Sequence, residues 1–81
     1  MISIRIRYIG FHPYVFPEEM SFPVGSSAGD IFTVLAETVG VDYDVFLYEH
    51  VFLLDGVRLE EGVFLRPESR ELMIFTMSMG G

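Results

Sequence analysis

The 81-residue chain contains no cysteine and no lysine, and its five basic residues are all arginine. Without cysteine it has no disulfide framework, no thiolate nucleophile, no iron–sulfur cluster and no cysteine zinc site. Twelve acidic residues give a net charge of −7, which argues against nucleic-acid binding because a nucleic-acid partner needs a basic surface. The same charge suits a partner with a basic docking surface, or simply solubility.

Long apolar runs are also missing. No segment approaches the roughly 20 apolar residues of a membrane-spanning helix. Arg5 and Arg7 interrupt any apolar run near the first residue, whereas a signal peptide needs such a run. We therefore expect a cytoplasmic protein with no membrane partner. At 51% hydrophobic residues the chain has enough apolar material to fill a core, and its length predicts one domain over residues 1–81.

Alternating apolar residues predict several β-strands. Residues 1–9 and 18–24 should form a hairpin whose second strand lies at a sheet edge, because Pro23 cannot donate a ladder hydrogen bond. Residues 48–54 and 57–59 flank Asp55-Gly56, which is the strongest hairpin turn signal in the chain. The last strand, residues 72–77, is apolar on both faces and should therefore be central.

One helix is predicted between the second and third strands, over about ten residues by its cap signals. Ser27 is the expected N-cap, Asp30 completes a capping box, and Gly40 ends the helix. Its apolar face is predicted from helical spacing as Ile31, Val34, Leu35 and Thr38. Residues 41–47 have no clear period and suggest a turn.

The resulting order is β-β-α-β-β-β. It predicts an α+β domain with a mixed sheet of four to five strands and one main helix packed across it. A hairpin followed by a crossover helix is compatible with first and last strands that lie side by side and parallel.

The side chains that most often bind metals or act as acids and bases are isolated from one another in this sequence. His12 and His50 have no cysteine or carboxylate cluster at metal spacing, so both are interpreted as surface or turn histidines and no metal site is predicted. Glu18-Glu19 and Glu60-Glu61 are each adjacent in sequence. Adjacent residues of a strand direct their side chains to opposite faces, so neither pair forms an acid–base dyad. Both pairs are expected to be solvated edges.

An aromatic loop follows the first strand and has two interpretations. It either folds back over the open end of the core or presents an exposed patch to a partner. Its apolar members are Phe11, Tyr14, Val15 and Phe16.

The end of the sequence is the most informative segment. Gly80-Gly81 stands directly behind the predicted last strand, and glycine pairs allow a tail to thread a narrow channel. The run Leu72-Met73-Ile74-Phe75, followed by Thr76-Met77-Ser78-Met79-Gly80-Gly81, resembles the last strand and tail of the MoaD/ThiS-type sulfur carriers of the ubiquitin-like superfamily. This resemblance implies a β-grasp fold in which residues 78–81 form a flexible tail.

The resemblance also implies a chemistry. An E1-like enzyme would adenylate the Gly81 carboxylate with ATP and Mg²⁺, and a sulfur donor would convert it to a thiocarboxylate. The sulfur would pass to a large synthase subunit or another acceptor, in molybdopterin synthesis for the molybdenum or tungsten cofactor or in a related pathway. The chain itself would bind no cofactor and would be a carrier, or the small subunit of a synthase, rather than an enzyme.

A carrier of this kind needs a docking surface for its partners. Strand parity places Met73, Phe75 and Met77 on one face, with Arg5 and Arg7 on the neighbouring strand. Ser78 and Met79 lead from that face to Gly80-Gly81 and belong to the same predicted contact. The alternative interpretation of Phe75 is a core residue.

Three functions stay open at this point. The first is the sulfur carrier, the second a ubiquitin-like modifier joined to target lysines through Gly81, and the third a β-grasp interaction module whose glycines are incidental. The missing lysines have two interpretations, a compositional bias toward arginine or protection of an activated C-terminus from attack by side-chain amines.

Overall fold

The computed structural model describes residues 1–10 and 14–77 and has an α+β architecture, with a mixed five-stranded sheet and two helices. The predicted α+β class is confirmed. In chain order the elements are β1 (Ile2–Ile9), β2 (Glu19–Phe22), α1 (Ala28–Val39), α2 (Tyr43–Glu49), β3 (His50–Leu54), β4 (Val57–Arg58) and β5 (Glu71–Thr76).

The strands lie in the order β2-β1-β5-β3-β4. β1 pairs antiparallel with β2 and parallel with β5, whereas β3 pairs antiparallel with both β5 and β4. The predicted first hairpin, the edge position of β2 and the parallel contact of first and last strands are confirmed. β5 is central, as its apolar residues on both faces predicted.

Helix α1 begins where its cap predicted. The Asp30 N–H donates to Ser27 Oγ at 3.1 Å, and the Ser27 N–H donates to the Asp30 carboxylate at 3.1 Å, so the capping box is complete. Gly40 ends the helix with a φ of 72°, a left-handed conformation that glycine adopts without steric cost. The helix has 12 residues rather than about ten.

The predicted buried face of α1 was partly wrong. Ile31 and Leu35 are buried, but Val34 and Thr38 are exposed, and the structure buries Phe32 instead. The spacing of apolar residues permits either stripe, and packing against the sheet selects the one that also contains Ala28 and Ala36.

Helix α2 was not predicted, because its seven residues are too few to establish a helical period. Asp42, interpreted as a turn residue, is its N-cap and accepts from the N–H groups of Asp44 and Val45. The helix displaces the start of β3 from Tyr48 to His50. Neither α1 nor α2 is long and apolar enough to cross a membrane.

The core lies between the two helices and one face of the sheet, which we name the inner face. Strand residues of this face, such as Ile4, Leu72 and Ile74, are at most 1% exposed. They meet Leu35 of α1 and Phe46 of α2, both 0% exposed. At about 25 cal/mol per Å² of buried apolar surface, this contact is the main stabilising term of the fold.

The β3–β4 turn also anchors the start of β5. Asp55 and Gly56 both have positive φ, 49° and 84°, as a two-residue hairpin requires. The Asp55 carboxylate accepts from the backbone N–H groups of Arg70 and Glu71 at 3.0–3.2 Å. These bonds bring the loop before β5 against the hairpin and let β5 begin at Glu71, one residue before its predicted start.

Candidate functional site

The side of the sheet that faces away from the helices, the outer face, is built by strand register. One row crosses four strands and consists of Arg7, Met73, Leu53 and Arg58. The next row, nearer the end of β5, consists of Ile9, Phe75 and Val51. Alternation along each strand therefore gathers apolar side chains from three strands on this face.

Five of these residues form a contiguous surface that we name the outer apolar patch: Ile9, Val51, Leu53, Met73 and Phe75. All five are partly exposed, and none belongs to the buried core cluster. Met77 follows directly after β5 and is 47% exposed. An exposed apolar surface with a charged border is the usual composition of a protein-binding site.

Arginines border the outer apolar patch on two sides. Arg7 and Arg58 lie at the two ends of the four-residue row, and three strand spacings separate them by about 14 Å. Arg5 lies two residues before Arg7 on β1, opposite Glu71 of β5. Arg7 Nη1 lies 3.9 Å from Glu71 Oε1, and Arg58 Nε lies 3.7 Å from Glu60 Oε2. Exposed pairs of this kind contribute little to stability, so these guanidinium groups are available to a partner.

The structure brings four of the predicted docking residues together. Met73, Phe75, Arg5 and Arg7 share the outer face, and Phe75 is not part of the core. Met77 lies beyond β5, where its N–H donates to the Glu49 carbonyl. The remaining predicted site residues lie outside the described residues and are Ser78, Met79, Gly80 and Gly81.

Sequence reasoning missed three members of the outer apolar patch, namely Ile9, Val51 and Leu53. β3 reads His-Val-Phe-Leu-Leu, a run whose apolar side chains occupy both faces. That run was a signal for a second exposed face, but only the pairing of β3 with β5 shows which residues adjoin Phe75.

An aromatic cluster closes one end of the inner face. His50 was interpreted as a surface or turn histidine, and this was wrong: it is 4% exposed. Its Nδ1 lies 2.8 Å from the Phe46 carbonyl, which can only accept, so Nδ1 carries the proton. In the neutral ring Nε2 then accepts from the Tyr8 hydroxyl at 2.6 Å. His12 lies outside the described residues.

The aromatic loop contributes to this cluster. Phe16 packs edge-on against Tyr8, and the Tyr14 hydroxyl donates to Glu49 Oε1 at 2.7 Å. The fold-back interpretation therefore holds for these two residues, whereas Val15 is 88% exposed and Phe11 lies outside the described residues.

Two tyrosine hydroxyls in the cluster are held in the neutral form. Burial, followed by repulsion from Glu49 and from Tyr14 at the high pH at which Tyr14 ionises, raises the pKa of Tyr8 to about 12. The hydrogen bond to Glu49 raises the pKa of Tyr14. Both groups stay protonated at neutral pH, so neither hydroxyl is a general base there.

Across residues 1–10 and 14–77, no three histidine or carboxylate side chains are grouped closely enough to hold a metal ion. The two glutamate pairs are exposed, as predicted. The arrangement on the outer face is suited to binding a macromolecule. No protein-family model matches the sequence, and no curated protein is significantly similar to it.

Proposed function

We propose that this chain is a sulfur carrier of the MoaD/ThiS type, with a reactive α-carboxylate on Gly81. One observation carries the proposal: β5 occupies the middle of the sheet, and the sequence runs from its end at Thr76 through Met77 to Gly80-Gly81. A central strand gives the segment that follows it a fixed starting point, and glycines allow close approach to an enzyme.

The β-grasp fold belongs to the same proposal. An initial hairpin, a helix across one face and a last strand parallel to the first are the arrangement that the resemblance implies. The second helix, α2, precedes β3 and leaves the outer face uncovered by any described helix.

The proposed chemistry takes place on an E1-like enzyme that supplies the ATP and Mg²⁺ site. A Gly81 carboxylate oxygen attacks the α-phosphorus of ATP, pyrophosphate leaves, and an acyl-adenylate forms. Hydrosulfide from a sulfide donor attacks the acyl carbon, AMP leaves with one former carboxylate oxygen, and a proton is released, so that sulfur replaces that oxygen. The chain has no lysine whose amine would compete for the activated carbon.

The outer apolar patch is the proposed docking surface for that enzyme and for the sulfur acceptor. It lies on the strand that leads to the reactive end, and Phe75 provides an aromatic anchor near its centre. Arg5, Arg7 and Arg58 border it, although the whole chain carries a net charge of −7. Because Glu71 and Glu60 lie beside Arg7 and Arg58, the complementary surface on the partner should be apolar at its centre with charged groups of both signs around it.

Intact-mass measurement tests the proposal. Incubation with the E1-like enzyme, ATP, Mg²⁺ and a sulfide source should add about 16 Da, because sulfur replaces one oxygen of the acyl group. A chain that lacks Gly81 is the control and should stay unmodified. Equal modification of both chains would refute the assignment of Gly81, and a Gly81 found in isopeptide linkage to lysines of other proteins would favour the modifier function instead.

A further inference from the structure

A groove opens on the edge of the sheet opposite β2, and it shares Val51 with the outer apolar patch and Arg58 with the border of that patch. It has a volume of about 640 Å³, within the range of about 300 to 1,000 Å³ that is typical of binding pockets. Phe32 and Phe52 lie in its floor with ring centroids 4.6 Å apart. Tyr43 of α2 and Phe64 of the loop after β4 also line the groove and are 38% and 54% exposed.

The groove exists because β4 is short. β4 pairs only with Leu53 and Leu54, and the last backbone bond of this hairpin runs from the Leu59 N–H to the Phe52 carbonyl. The chain then turns, with the Val63 N–H bonded to the Glu60 carbonyl, and forms a β-bridge between Phe64 and Ser27 instead. Within the described part of the chain, no strand pairs with β3 on this side before Phe52.

The backbone of β3 presents hydrogen-bonding groups to this groove. The Asp55 N–H bonds to the Glu71 carbonyl of β5, and the Glu49 carbonyl accepts from the N–H of Met77, directly after β5. Alternation therefore directs the backbone N–H and C=O groups of the even-numbered residues of β3 away from β5. The His50 N–H is already bonded to the Leu47 carbonyl. The His50 carbonyl and the Phe52 N–H, one residue apart on either side of Val51, therefore point toward the groove.

An acceptor and a donor in this spacing match the backbone of an extended chain, because one residue of a parallel added strand, or two alternate residues of an antiparallel one, bond to both groups. A small molecule would not need that pattern. The rim beside them is acidic: Glu60 and Glu61 are exposed, and Arg58 offsets only one of the two charges. Charge complementarity therefore selects a strand that carries arginine or lysine.

We propose that this groove binds an extended, basic peptide segment of a partner protein, which adds as a short strand to β3 opposite Val51. One apolar side chain of the segment would lie between Tyr43 and Phe64 above the phenylalanine floor, and a basic side chain would lie near Glu60 and Glu61. The site adjoins the outer apolar patch at Val51, and its proposed role does not depend on sulfur transfer.

The test uses the blocked synthetic peptide Arg-Val-Thr-Phe-Thr-Val-Arg and amide resonances of the isotope-labelled protein. Titration to about 1 mM, the Kd range of weak peptide docking, should shift the amides of Val51, Phe52 and Phe64. Two further peptides are N-methylated at either the odd or the even residues, and only one of these sets faces β3. One methylated peptide should lose about tenfold in affinity, and the other should bind as before.

Matched protein variants test the charge. Glu60→Gln with Glu61→Gln should weaken binding of the peptide several-fold, whereas Glu18→Gln with Glu19→Gln, an exposed acidic pair at the opposite edge, should not. The proposal is overturned if the peptide shifts none of these three amides, if both methylated peptides bind as the parent does, or if both variant pairs weaken binding equally.

Discussion

Both faces of the sheet carry apolar residues, but these residues are buried on the inner face and partly exposed on the outer face. On β5, Leu72 and Ile74 point to the inner face and are at most 1% exposed, whereas Met73 and Phe75 point to the outer face and stay partly exposed. Both helices pack on the inner face. Hydrophobic residues therefore do not by themselves distinguish core from surface in this strand, and the position of the helices does.

The difference suggests separate roles for the two faces. The inner face gains its apolar burial during folding, whereas the apolar side chains of the outer face stay partly exposed after folding. A central strand with apolar residues on both faces is therefore compatible with a fold that is stable before it binds a partner. Substitutions on adjacent residues of β5 separate these roles, because they change one face at a time.

The largest effect is expected from truncation on the inner face. Ile74 is 0% exposed, so Ile74→Ala should lower the free energy of unfolding by about 2–5 kcal/mol. The matched change Phe75→Ala, one residue along, should cost only about 1 kcal/mol because its ring is partly solvated already. Urea unfolding of both variants measures this, and equal losses would show that the outer face is part of the core.

Truncation on the outer face should have its larger effect on partner binding rather than on stability. In the proposed carrier function, Phe75→Ala should weaken binding to the E1-like enzyme by about 2 kcal/mol or more, because a central aromatic anchor is lost. Ser21→Ala on the outer side of β2, distant from the outer apolar patch, is the control and should bind as the wild type does. Calorimetric titration of the folded variants gives the comparison, and unchanged affinity for Phe75→Ala would refute the docking surface.

A smaller loss is expected at the aromatic end of the inner face. Tyr8→Phe removes the hydroxyl that donates to His50 Nε2 and leaves that buried nitrogen without its donor. The expected cost is about 1–3 kcal/mol at neutral pH. Tyr48→Phe, at a position 67% exposed, should change stability little in the same unfolding measurement.

The free energies of unfolding of the same two variants should depend differently on pH. Because the folded state raises the pKa of Tyr8 to about 12, the unfolded state loses this proton first, at its ordinary pKa of 10.0. The contribution of Tyr8 is therefore fully present below pH 10 and is lost as the pH rises toward 12. Unfolding measured at about pH 8 and about pH 11 should show a smaller decline for Tyr8→Phe than for Tyr48→Phe or the wild type. Identical declines would show that Tyr8 does not contribute.

Local signals predicted much of this fold. The alternation in β1, the capping box of Ser27 and Asp30 and the Asp55-Gly56 turn depend on residues close in sequence, and all three were confirmed. The central position of β5 followed from its two apolar faces. α2 could not be predicted, because a seven-residue helix spans fewer than two full turns, which is too short to establish a helical period.

Features that depend on distant residues were the ones missed. His50 reads as an isolated polar residue, and its partner Tyr8 lies 42 positions away. The outer apolar patch likewise needs the register of β3 on β5 before Val51 and Leu53 adjoin Phe75 and Met73. Parity alone placed Met73 and Phe75 on one face, but it did not show which neighbouring residues complete the surface.

The smallest expected effect concerns the helix that covers the inner face. Ser27→Ala removes the side-chain acceptor of the capping box and should lower the free energy of unfolding by about 1 kcal/mol. Thr33→Ala, exposed on the same helix, is the control and should be neutral or slightly stabilising, because alanine is the better helix former. Since α1 packs only on the inner face, Ser27→Ala should leave the affinity of the outer apolar patch for its partner unchanged. A loss of affinity without a loss of stability would show that the two faces are coupled through α1, and thermal unfolding measured beside the binding titration distinguishes these outcomes.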